Sequence, residues 1–593
     1  MSVSSTSEMQ VNENFGYTIK NIDLVQRLLI LGSRVNQYHQ KKNNSLSSDD
    51  IEFIKQCIET GEGPAILKLV EEIYETGRAP KQDITLQIHA ILCRAENDEL
   101  RKTSLGMIAK YRTISHIYNW KKFHSNCENP KLGKVTKGFG RGPKRSLNEW
   151  FLKMKDKPMD LAHQITKYGI REGWSFKHLV KCSHLTTGTG DDRDVKELSV
   201  KELSVKELSL KESAKKKKAK EILPATSFDL VLRYAVLGFE ETSKMAEKYN
   251  LKEEPVYKYL SAVHESKHCL EENKQRLIDL IYTNKLCREQ VPTWSLKDID
   301  VLTALLVNRN KTHIVMPLTA LLRNLGNMST NNVLDNNEIR TLLCSHLVNK
   351  ELIAKSRIHP VSVLTAWFTY KSGSGLRGDN TWYPQPDILK VLEEMFYLSF
   401  QNVEPTGKRI CFLIDCSGSM TGPSLCESVT NAEAAALLAM IFARSETKDT
   451  DAPDHSFYLF TSTTPTNYRG RTGLTDVSDV IHAEAPLNNV LNAVQRSNWG
   501  TTDISMGILE AMKYKRKYDA FVVITDNDVN SGIKPAEAMK QYRTAMKLPN
   551  TKLAVVATLG SDFTIADPLD QYMMDFTGFD SHGPKLLQDF IRQ

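Results

Sequence analysis

A short stretch in the last third of the chain combines one acidic and two hydroxyl side chains at alternate positions. Asp415, Ser417 and Ser419 end or follow the apolar run RICFLID, in the order Asp-Cys-Ser-Gly-Ser. At alternate positions, one carboxylate and two hydroxyls can converge on one point. A hard divalent cation prefers such an all-oxygen, near-octahedral set. The stretch therefore predicts a Mg²⁺ site, and Mn²⁺ would bind the same ligands.

Two later segments offer the remaining oxygens. Thr502 precedes a helical pattern, and Asp526 follows the apolar run YDAFVVIT. A lone Asp-x-Ser-x-Ser is weak evidence, since Asp and Ser also form ordinary turns and helix caps. The three pieces in this order, each at the end of a strand or in a loop, make a stronger pattern. We predict that one divalent cation binds Asp415, Ser417, Ser419, Thr502 and Asp526.

The elements around these residues alternate between apolar strands and helices. The strand candidates are RICFLID, HSFYLFT, YDAFVVIT and TKLAVVAT, with helical patterns between them. This alternation predicts a parallel, doubly wound sheet that is covered on both faces. In such sheets a ligand site lies beyond the carboxyl ends of the strands. Pro405 and Gly407 mark a boundary, so we predict an α/β, Rossmann-like domain over residues 406–593.

The preceding sequence has a helical period instead. The first amphipathic patterns are IDLVQRLLILG, DDIEFIKQCIETG, PAILKLVEEIYETG and ITLQIHAILCRAE. Glycine ends several of them, as helix C-caps often do. Short helices joined by short turns predict a divergent solenoid of helix pairs. We therefore expect a flexible segment over residues 1–15 and an all-α, helical-repeat module over residues 16–405.

One segment between the helical patterns is rich in glycine and basic residues. Residues 131–145 read KLGKVTKGFGRGPKR and include Phe139. A flexible, basic, aromatic-bearing loop suits phosphate contact and base stacking, and a solvated connector is the open alternative. By their chemistry, the phosphate-binding candidates are Lys134, Lys137, Arg141, Lys144 and Arg145.

The charge of the chain is uneven. Of 78 Lys and Arg and 71 Asp and Glu, residues 406–593 hold 18 and 22, a balance of −4, which leaves 60 and 49, or +11, for the rest. This asymmetry points to a polyanion as partner of the N-terminal part. An ordinary soluble surface of the same charge remains the alternative.

Residues 186–220 have low complexity. VKELS occurs three times in tandem from Val195 to Ser209, and LKES and KKKKAK follow. The composition predicts an exposed, disordered or loosely helical insertion. The lysine run could be a nuclear localisation signal or an RNA-binding patch, although we favour its interpretation as part of a solvated linker.

The N-terminus and the cysteines bear on the compartment. The first residues lack the basic and apolar regions of a signal peptide, and no apolar run approaches the roughly 18 residues that would span a bilayer. The ten cysteines form no CxxC pair, which favours reduced thiols over a disulfide framework or a zinc site. We expect no membrane partner and a cytoplasmic protein, with the nucleus as a second compartment.

From Phe412 onward, the three oxygen-bearing pieces resemble the metal-ion-dependent adhesion site of von Willebrand factor A domains. In that family the cation keeps one coordination position free for a carboxylate of a partner. The resemblance implies a protein or carboxylate ligand at the metal. The chain shows no pair of nucleophile and base of the kind that hydrolysis needs, so we predict that it is not an enzyme.

Several stretches of the chain carry a second resemblance: LAHQITKYGIREGWSFKHLVKCSHL, MPLTALLRNLGNMS, ARSETKD, RIHPVSVLTAWFTYKSGSGLRG, VEPTGKR and FTIADPLD. With these stretches, the helical part and the C-terminal domain together resemble the SS-A/Ro ribonucleoprotein family, in which a TROVE module precedes a von Willebrand factor A domain. The resemblance covers nearly the whole chain, and only the insertion at residues 186–220 departs from it.

The resemblance implies that the helices close into a HEAT-like ring. Small noncoding Y RNA would bind its outer surface, and single-stranded 3′ ends of misfolded small RNAs would enter the central hole, for stabilisation or quality control. Carried over by motif, Lys167 and His184 are candidates for the outer RNA surface. Arg323 either faces RNA or is a structural helix residue. Trp174 we interpret as a core residue.

Two other functions stay open. The helices could bind peptides in a protein-interaction scaffold, with the basic loop incidental, and RNA that co-purifies with the protein would argue against this. The chain could also be a metal-dependent nuclease. Two-metal nucleases need clustered carboxylates, whereas this site offers two carboxylates and three hydroxyls, a set that suits adhesion better.

Overall fold

The computed structural model describes most of the chain, and every structural statement below refers to the residues that it describes. The segment 1–15 and the insertion 186–220, both singled out in the sequence, lie outside them. The described residues are 20–34, 37–39, 45–77, 79, 82–129, 133–136, 138–183, 225–375, 379–422, 424, 430–446, 455–460, 473–495, 502–526, 532–558, 565–567, 569–577 and 583–592.

The chain forms two compact units. One comprises residues 45–309, and the other comprises residues 310–593 together with the residues up to 44. The predicted division at residue 405 remains a prediction.

The described part of residues 20–405 is mostly helical, as predicted. Its α-helices are Asn21–Leu31, Ser48–Glu59, Gly63–Thr76, Gln82–Leu92, Asp98–Gly106, Ile114–Asn126, Arg141–Lys153, Pro158–Lys167, Phe176–Ser183, Ser227–Leu237, Phe239–Lys248, Pro255–Lys267, Lys274–Asn284, Ile299–Leu306, Leu318–Thr330, Asn337–Leu347, Lys350–Ser356, Pro360–Lys371 and Pro386–Ser399. Short 3-10 helices occur at Met107–Lys110, Glu271–Asn273, Arg288–Gln290, Thr293–Lys297, Val333–Asp335 and Phe400–Asn402.

Local sequence signals explain where these helices begin and end. Ser47 caps the helix Ser48–Glu59, because its hydroxyl accepts the backbone N–H of Asp50 at 3.1 Å and its own backbone N–H donates to the Asp50 carboxylate at 3.4 Å. This is the reciprocal capping box. Gly77 ends the helix Gly63–Thr76 in the left-handed conformation, with φ of 69°. The helical period and these caps are both readable in the sequence.

The basic segment differs from the sequence prediction. Residues 141–145, expected in a flexible loop, form the first turn and a half of the helix Arg141–Lys153. Gly140 precedes it with φ of 71° and ends the loop. Pro143 lies within the first turn, where its missing N–H leaves no helical hydrogen bond unmade. Before the helix, two short strands, β2 (Glu128–Asn129) and β3 (Lys134–Val135), pair antiparallel.

A seven-stranded mixed sheet forms the core of the C-terminal domain. Its order is β1-β9-β8-β7-β4-β5-β6. The strands are β1 (Gln37–His39), β4 (Ile410–Asp415), β5 (Ser456–Phe460), β6 (Leu474–Asp476), β7 (Ala520–Thr525), β8 (Lys552–Ala557) and β9 (Met573–Thr577). All neighbours run parallel except β6, which pairs antiparallel with β5.

Three strands of this sheet, β1, β6 and β9, were not predicted. The antiparallel strand β6 closes one edge, and β1, from the N-terminal part of the chain, pairs with β9 at the other. The four predicted strands are β4, β5, β7 and β8, and they occupy the centre. Every residue of β4, β7 and β8 is buried, which explains their continuous apolar sequences.

Helices accompany this sheet. They are Asn431–Glu446, Leu487–Gln495, Ser505–Lys513, Pro535–Met546 and Gly583–Arg592, with a 3-10 turn at Gly418–Thr421. Nearly every residue of Asn431–Glu446 is buried, so this helix lies inside the unit. The prediction of an α/β domain is therefore confirmed, with a mixed sheet in place of the purely parallel one expected.

The segment that leads into β4 is held by buried hydrogen bonds. The Glu446 carboxylate accepts the backbone N–H of Thr406 at 2.8 Å, its hydroxyl at 2.9 Å and the N–H of Gly407 at 3.1 Å. Arg592 donates to the carbonyls of Pro405 and Glu404. The C-terminal residues of two helices, Asn431–Glu446 and Gly583–Arg592, therefore hold the entry segment in place.

None of the described helices combines the length with the apolar character that a membrane crossing requires.

Candidate functional site

Asp415 is the last residue of β4 and is completely buried. One carboxylate oxygen, Oδ1, accepts the backbone N–H of Ser417 at 2.8 Å. The other, Oδ2, accepts the hydroxyl of Thr525 at 2.7 Å. Since Thr525 ends the neighbouring strand β7, the carboxylate is fixed where the carboxyl ends of two parallel strands meet.

Ser417 and Ser419 follow directly. Their hydroxyl oxygens lie 3.1 Å apart. Ser417 is buried and immediately precedes the 3-10 turn Gly418–Thr421, whereas Ser419 is exposed. The turn therefore brings two hydroxyls together beside the Asp415 carboxylate and leaves one of them open to solvent.

Asp526 and Thr502 occupy the next two segments. Asp526 immediately follows β7, is 6% exposed, and lies close enough to Asp415 to affect its pKa. Thr502 is 1% exposed and precedes the helix Ser505–Lys513. The residue after it, Asp503, lies against Gly532, where a Cβ would fall 2.0 Å from the Asp503 carboxylate. The segment of Thr502 therefore contacts the loop that follows Asp526.

The electrostatics of these carboxylates suit a cation. Burial raises the pKa of Asp415 to about 6, and the nearby Asp526 carboxylate acts in the same direction. Among the described residues, the groups that donate to the Asp415 carboxylate are the hydroxyls of Thr525 and Ser417 and the backbone N–H of Ser417, and none of them is basic. A buried carboxylate without a counter-charge is costly. A divalent cation would supply the missing charge, so the donor set fits one.

The second candidate site begins at the helix Arg141–Lys153. Arg141, Lys144 and Arg145 are three and four residues apart, so they lie on neighbouring positions of one helix face. Arg145 is exposed and forms a 3.4 Å ion pair with Glu149. The first turn holds no acidic residue, and no side chain caps it. Cations are unfavourable at a helix N-terminus, whereas phosphate is favourable there.

Of four other residues considered for RNA binding, two are described by the structure and two are not. Lys134 is exposed on β3, and Arg323 is exposed on the helix Leu318–Thr330. Lys137 and His184 lie outside the described residues.

Lys167 and Arg171 both lie near the ring of Tyr168, and Arg171 was not among the predicted RNA-binding residues. Lys167 ends its helix, and its Nζ lies 5.7 Å from the ring centre of Tyr168. The Arg171 guanidinium lies 5.2 Å from the same ring and is exposed. The sequence signal that could have indicated Arg171 is its spacing of four residues from Lys167. Because both positive side chains lie near the Tyr168 ring, we add Arg171 to the candidate RNA surface.

A buried aromatic contact involves residues next to both of these basic groups. Phe139 is 4% exposed and packs edge-to-face on Trp174, with ring centres 5.6 Å apart. The Lys121 ammonium lies 4.2 Å from the Phe139 ring centre. The predicted base-stacking role of Phe139 is therefore wrong, because the side chain is packed inside, whereas Trp174 packs as expected. The contact packs Phe139, two residues before the helix Arg141–Lys153, against Trp174, three residues after Arg171, so each contacting ring lies next to one basic group along the chain.

Comparison with known families gives two matches that together span most of the chain. A model of the TROVE domain matches residues 19–369, and a model of the Ro60 vWA domain matches residues 409–591.

Two curated relatives align over nearly the full length. RNA-binding protein RO60 of Caenorhabditis elegans is 30% identical over 631 aligned positions, which cover 98% of this chain and 90% of that protein. RNA-binding protein RO60 of Deinococcus radiodurans is 27% identical over 598 positions, which cover 99% and 96%.

The fold also matches a solved structure. The crystal structure of the Deinococcus radiodurans RO (RSR) protein superposes with a TM-score of 0.75 at 24% identity and covers 97% of this chain and 99% of that one. At this identity the likeness shows the shared fold.

Proposed function

Because this chain belongs to the family in which a TROVE domain precedes a Ro60 vWA domain, we propose that it is the RNA-binding component of a ribonucleoprotein. Its curated relatives are named RNA-binding proteins. The RNA we propose is small noncoding Y RNA, together with the 3′ ends of misfolded small RNAs. The role would be stabilisation or quality control of these RNAs.

The observation that carries this proposal is the pair of basic groups that flank the Phe139–Trp174 contact. It combines Arg141, Lys144 and Arg145 at a helix N-terminus with Lys167 and Arg171 around Tyr168. Phosphates would meet free N–H groups and positive side chains at one end and two cations at the other. His184 and the lysines at 134 and 137 are proposed members of the same surface.

The cheapest test is the nucleic acid that the full-length protein carries when purified. An RNA-binding protein should elute with a high ratio of absorbance at 260 nm to that at 280 nm, and ribonuclease should lower the ratio. A protein-interaction scaffold should elute at the ratio of protein alone, before and after ribonuclease.

We propose Mg²⁺ as the cation of the second site. It would be held by Asp415, Ser417, Ser419, Thr502 and Asp526. When bound, the ion would supply the positive charge that attracts a carboxylate of a partner protein. The residues of this chain hold and orient the oxygens, and the exposed Ser419 hydroxyl marks the side from which a partner would approach.

We propose binding rather than catalysis for this site. Besides its two carboxylates, the proposed ligand set has two buried hydroxyl-bearing residues and one exposed serine, which offer no paired nucleophile and base. Mg²⁺-dependent RNA cleavage that disappears in Asp415→Ala would instead favour the nuclease.

The compartment we propose is the cytoplasm. No disulfide joins two cysteines within the described part of the chain, which suits a reducing environment.

A further inference from the structure

The helix Pro255–Lys267 ends in a sequence that combines two histidines one turn apart. Residues 264–268 read His-Glu-Ser-Lys-His. On a helix, side chains four residues apart lie on one face. In metalloproteases the same spacing, HExxH, places two zinc ligands and a glutamate base on one helix. The corresponding side chains here are His264, His268 and Glu265.

The two imidazoles are close together and accessible. The ring centres of His264 and His268 lie 4.3 Å apart, with the planes at 46°. His268 is exposed, whereas His264 is half-buried. The His264 ring stacks on the Phe239 ring, with ring centres 4.4 Å apart. Neither ring nitrogen of His264 has a hydrogen-bond partner among the described residues. Stacking fixes the ring but leaves its nitrogens, which lie in the ring plane, free to bind.

His268 is held in the tautomer that a metal ligand needs. Its Nδ1 lies 2.8 Å from the backbone carbonyl oxygen of His264. Because a carbonyl only accepts, Nδ1 carries the proton, and the lone pair is on Nε2. A hydrogen bond from the second ring nitrogen to a backbone carbonyl is the usual support of a metal-binding histidine.

The helix end favours a bound cation. The pair lies at the C-terminal end of its helix, where the partial negative charge of the helix dipole favours cations.

Glu265 is not available as a protease base. Its two carboxylate oxygens accept hydrogen bonds from Nε and a terminal nitrogen of Arg276, at 2.5 and 2.9 Å. The thiol of Cys269 is also engaged, with the carbonyls of Leu270 and Asn273. Within the described part of the chain, no group of three or more His, Cys, Asp or Glu side chains is arranged to hold a metal. The arrangement thus offers two nitrogen ligands and leaves the other coordination positions open.

We propose that His264 and His268 form a two-histidine chelate for a divalent transition metal, separate from the magnesium site. Imidazole nitrogen suits Zn²⁺, Cu²⁺ and Ni²⁺, in contrast to the oxygen donors that suit Mg²⁺. Water or a donor atom of a partner would fill the remaining positions.

The test is calorimetric titration of the untagged, full-length protein with Ni²⁺ in excess Mg²⁺, which occupies the oxygen site. His264→Phe keeps a ring on Phe239 but removes the nitrogens, and His268→Asn changes an exposed residue. Loss of a direct ligand should cost at least as much as loss of an outer hydrogen bond, so each variant should bind Ni²⁺ at least about tenfold more weakly.

The matched control is His178→Asn, which changes an exposed histidine on another helix and should bind like the wild type. Thermal unfolding confirms that each variant is folded. If His264→Phe does not fold, the exposed His268→Asn decides. Wild-type protein without a Ni²⁺ site, or a folded variant that binds as tightly as wild type, would overturn the proposal.

Discussion

The Thr525 hydroxyl donates a 2.7 Å hydrogen bond to Oδ2 of Asp415. The bond joins the ends of the neighbouring parallel strands β7 and β4. The Ser417 N–H fixes the other carboxylate oxygen. The carboxylate is thus oriented by the protein itself, and a cation would meet oxygens already in place.

Asp415→Asn should abolish Mg²⁺ binding, because it removes the buried charge that a cation would neutralise. Mg²⁺ at 100 times its Kd should stabilise the wild type by about 2.7 kcal/mol, seen as a higher unfolding temperature. The exposed Asp479→Asn is the control and should keep this gain. An equal gain in Asp415→Asn would remove Asp415 from the site.

Thr525→Val should weaken Mg²⁺ binding by about 10–100-fold, because it removes the hydrogen bond that orients Asp415 but keeps the side-chain shape. Titration with Mg²⁺, followed by calorimetry, gives the dissociation constant. The control Thr544→Val changes an exposed threonine of the same unit. If both variants bind like wild type, Asp415 does not need Thr525 for its orientation.

Acid should destabilise the protein partly through His89. This fully buried ring bonds the Tyr111 hydroxyl and the Ser104 carbonyl, both at 2.6 Å, and burial lowers its pKa from 6.5 to about 4. The folded protein therefore binds fewer protons than the unfolded protein between these values. Stability is complete above pH 6.5 and is lost as the pH falls toward 4, by about 3 kcal/mol from this group.

Urea unfolding at pH 7.5 and pH 5 measures this effect. The loss between the two pH values should be smaller in His89→Gln than in wild type, and unchanged in the exposed variant His178→Gln. Equal losses in all three proteins would show that His89 is not the group responsible.

Phe139→Ala should destabilise the protein by about 3–5 kcal/mol, because it empties the space between Trp174 and Lys121. Val135→Ala changes an exposed residue nearby, 54% accessible, and should cost less than about 0.5 kcal/mol. Urea unfolding compares the two. Similar small costs would mean that Phe139 is not a packing residue and would restore its stacking role.

The parts of the fold that were predictable have strong local signals. β4, β5, β7 and β8 are apolar runs, and the ends of β4 and β7 carry Asp415 and Asp526 in the order that the site requires. The burial of these strands makes their sequences continuous rather than alternating. The long helices were likewise predictable from the helical spacing of their apolar residues and from capping residues such as Ser47.

The parts that were missed depend on distant contacts. β1 has three residues and exists by pairing with β9, more than 500 positions later. Phe139 stands in a glycine-rich basic run typical of a loop, and only its contacts with Trp174 and Lys121 bury it. The spacing of His264 and His268 is visible in the sequence, but the bond between Glu265 and Arg276 is not.

The most direct test of the account is a filter-binding titration of the full-length protein with a small, structured noncoding RNA over a range of salt concentrations, with and without EDTA. Wild type is compared with Lys167→Ala, Arg171→Ala and His184→Ala, and the exposed Lys517→Ala is the control.

We predict tight binding that falls steeply with salt, weaker binding in the three variants, and a salt slope lower by about 1 for each lost phosphate contact. The control and the EDTA arm should match wild type. No binding at low salt, or binding that none of the three variants changes, would contradict the proposed RNA surface.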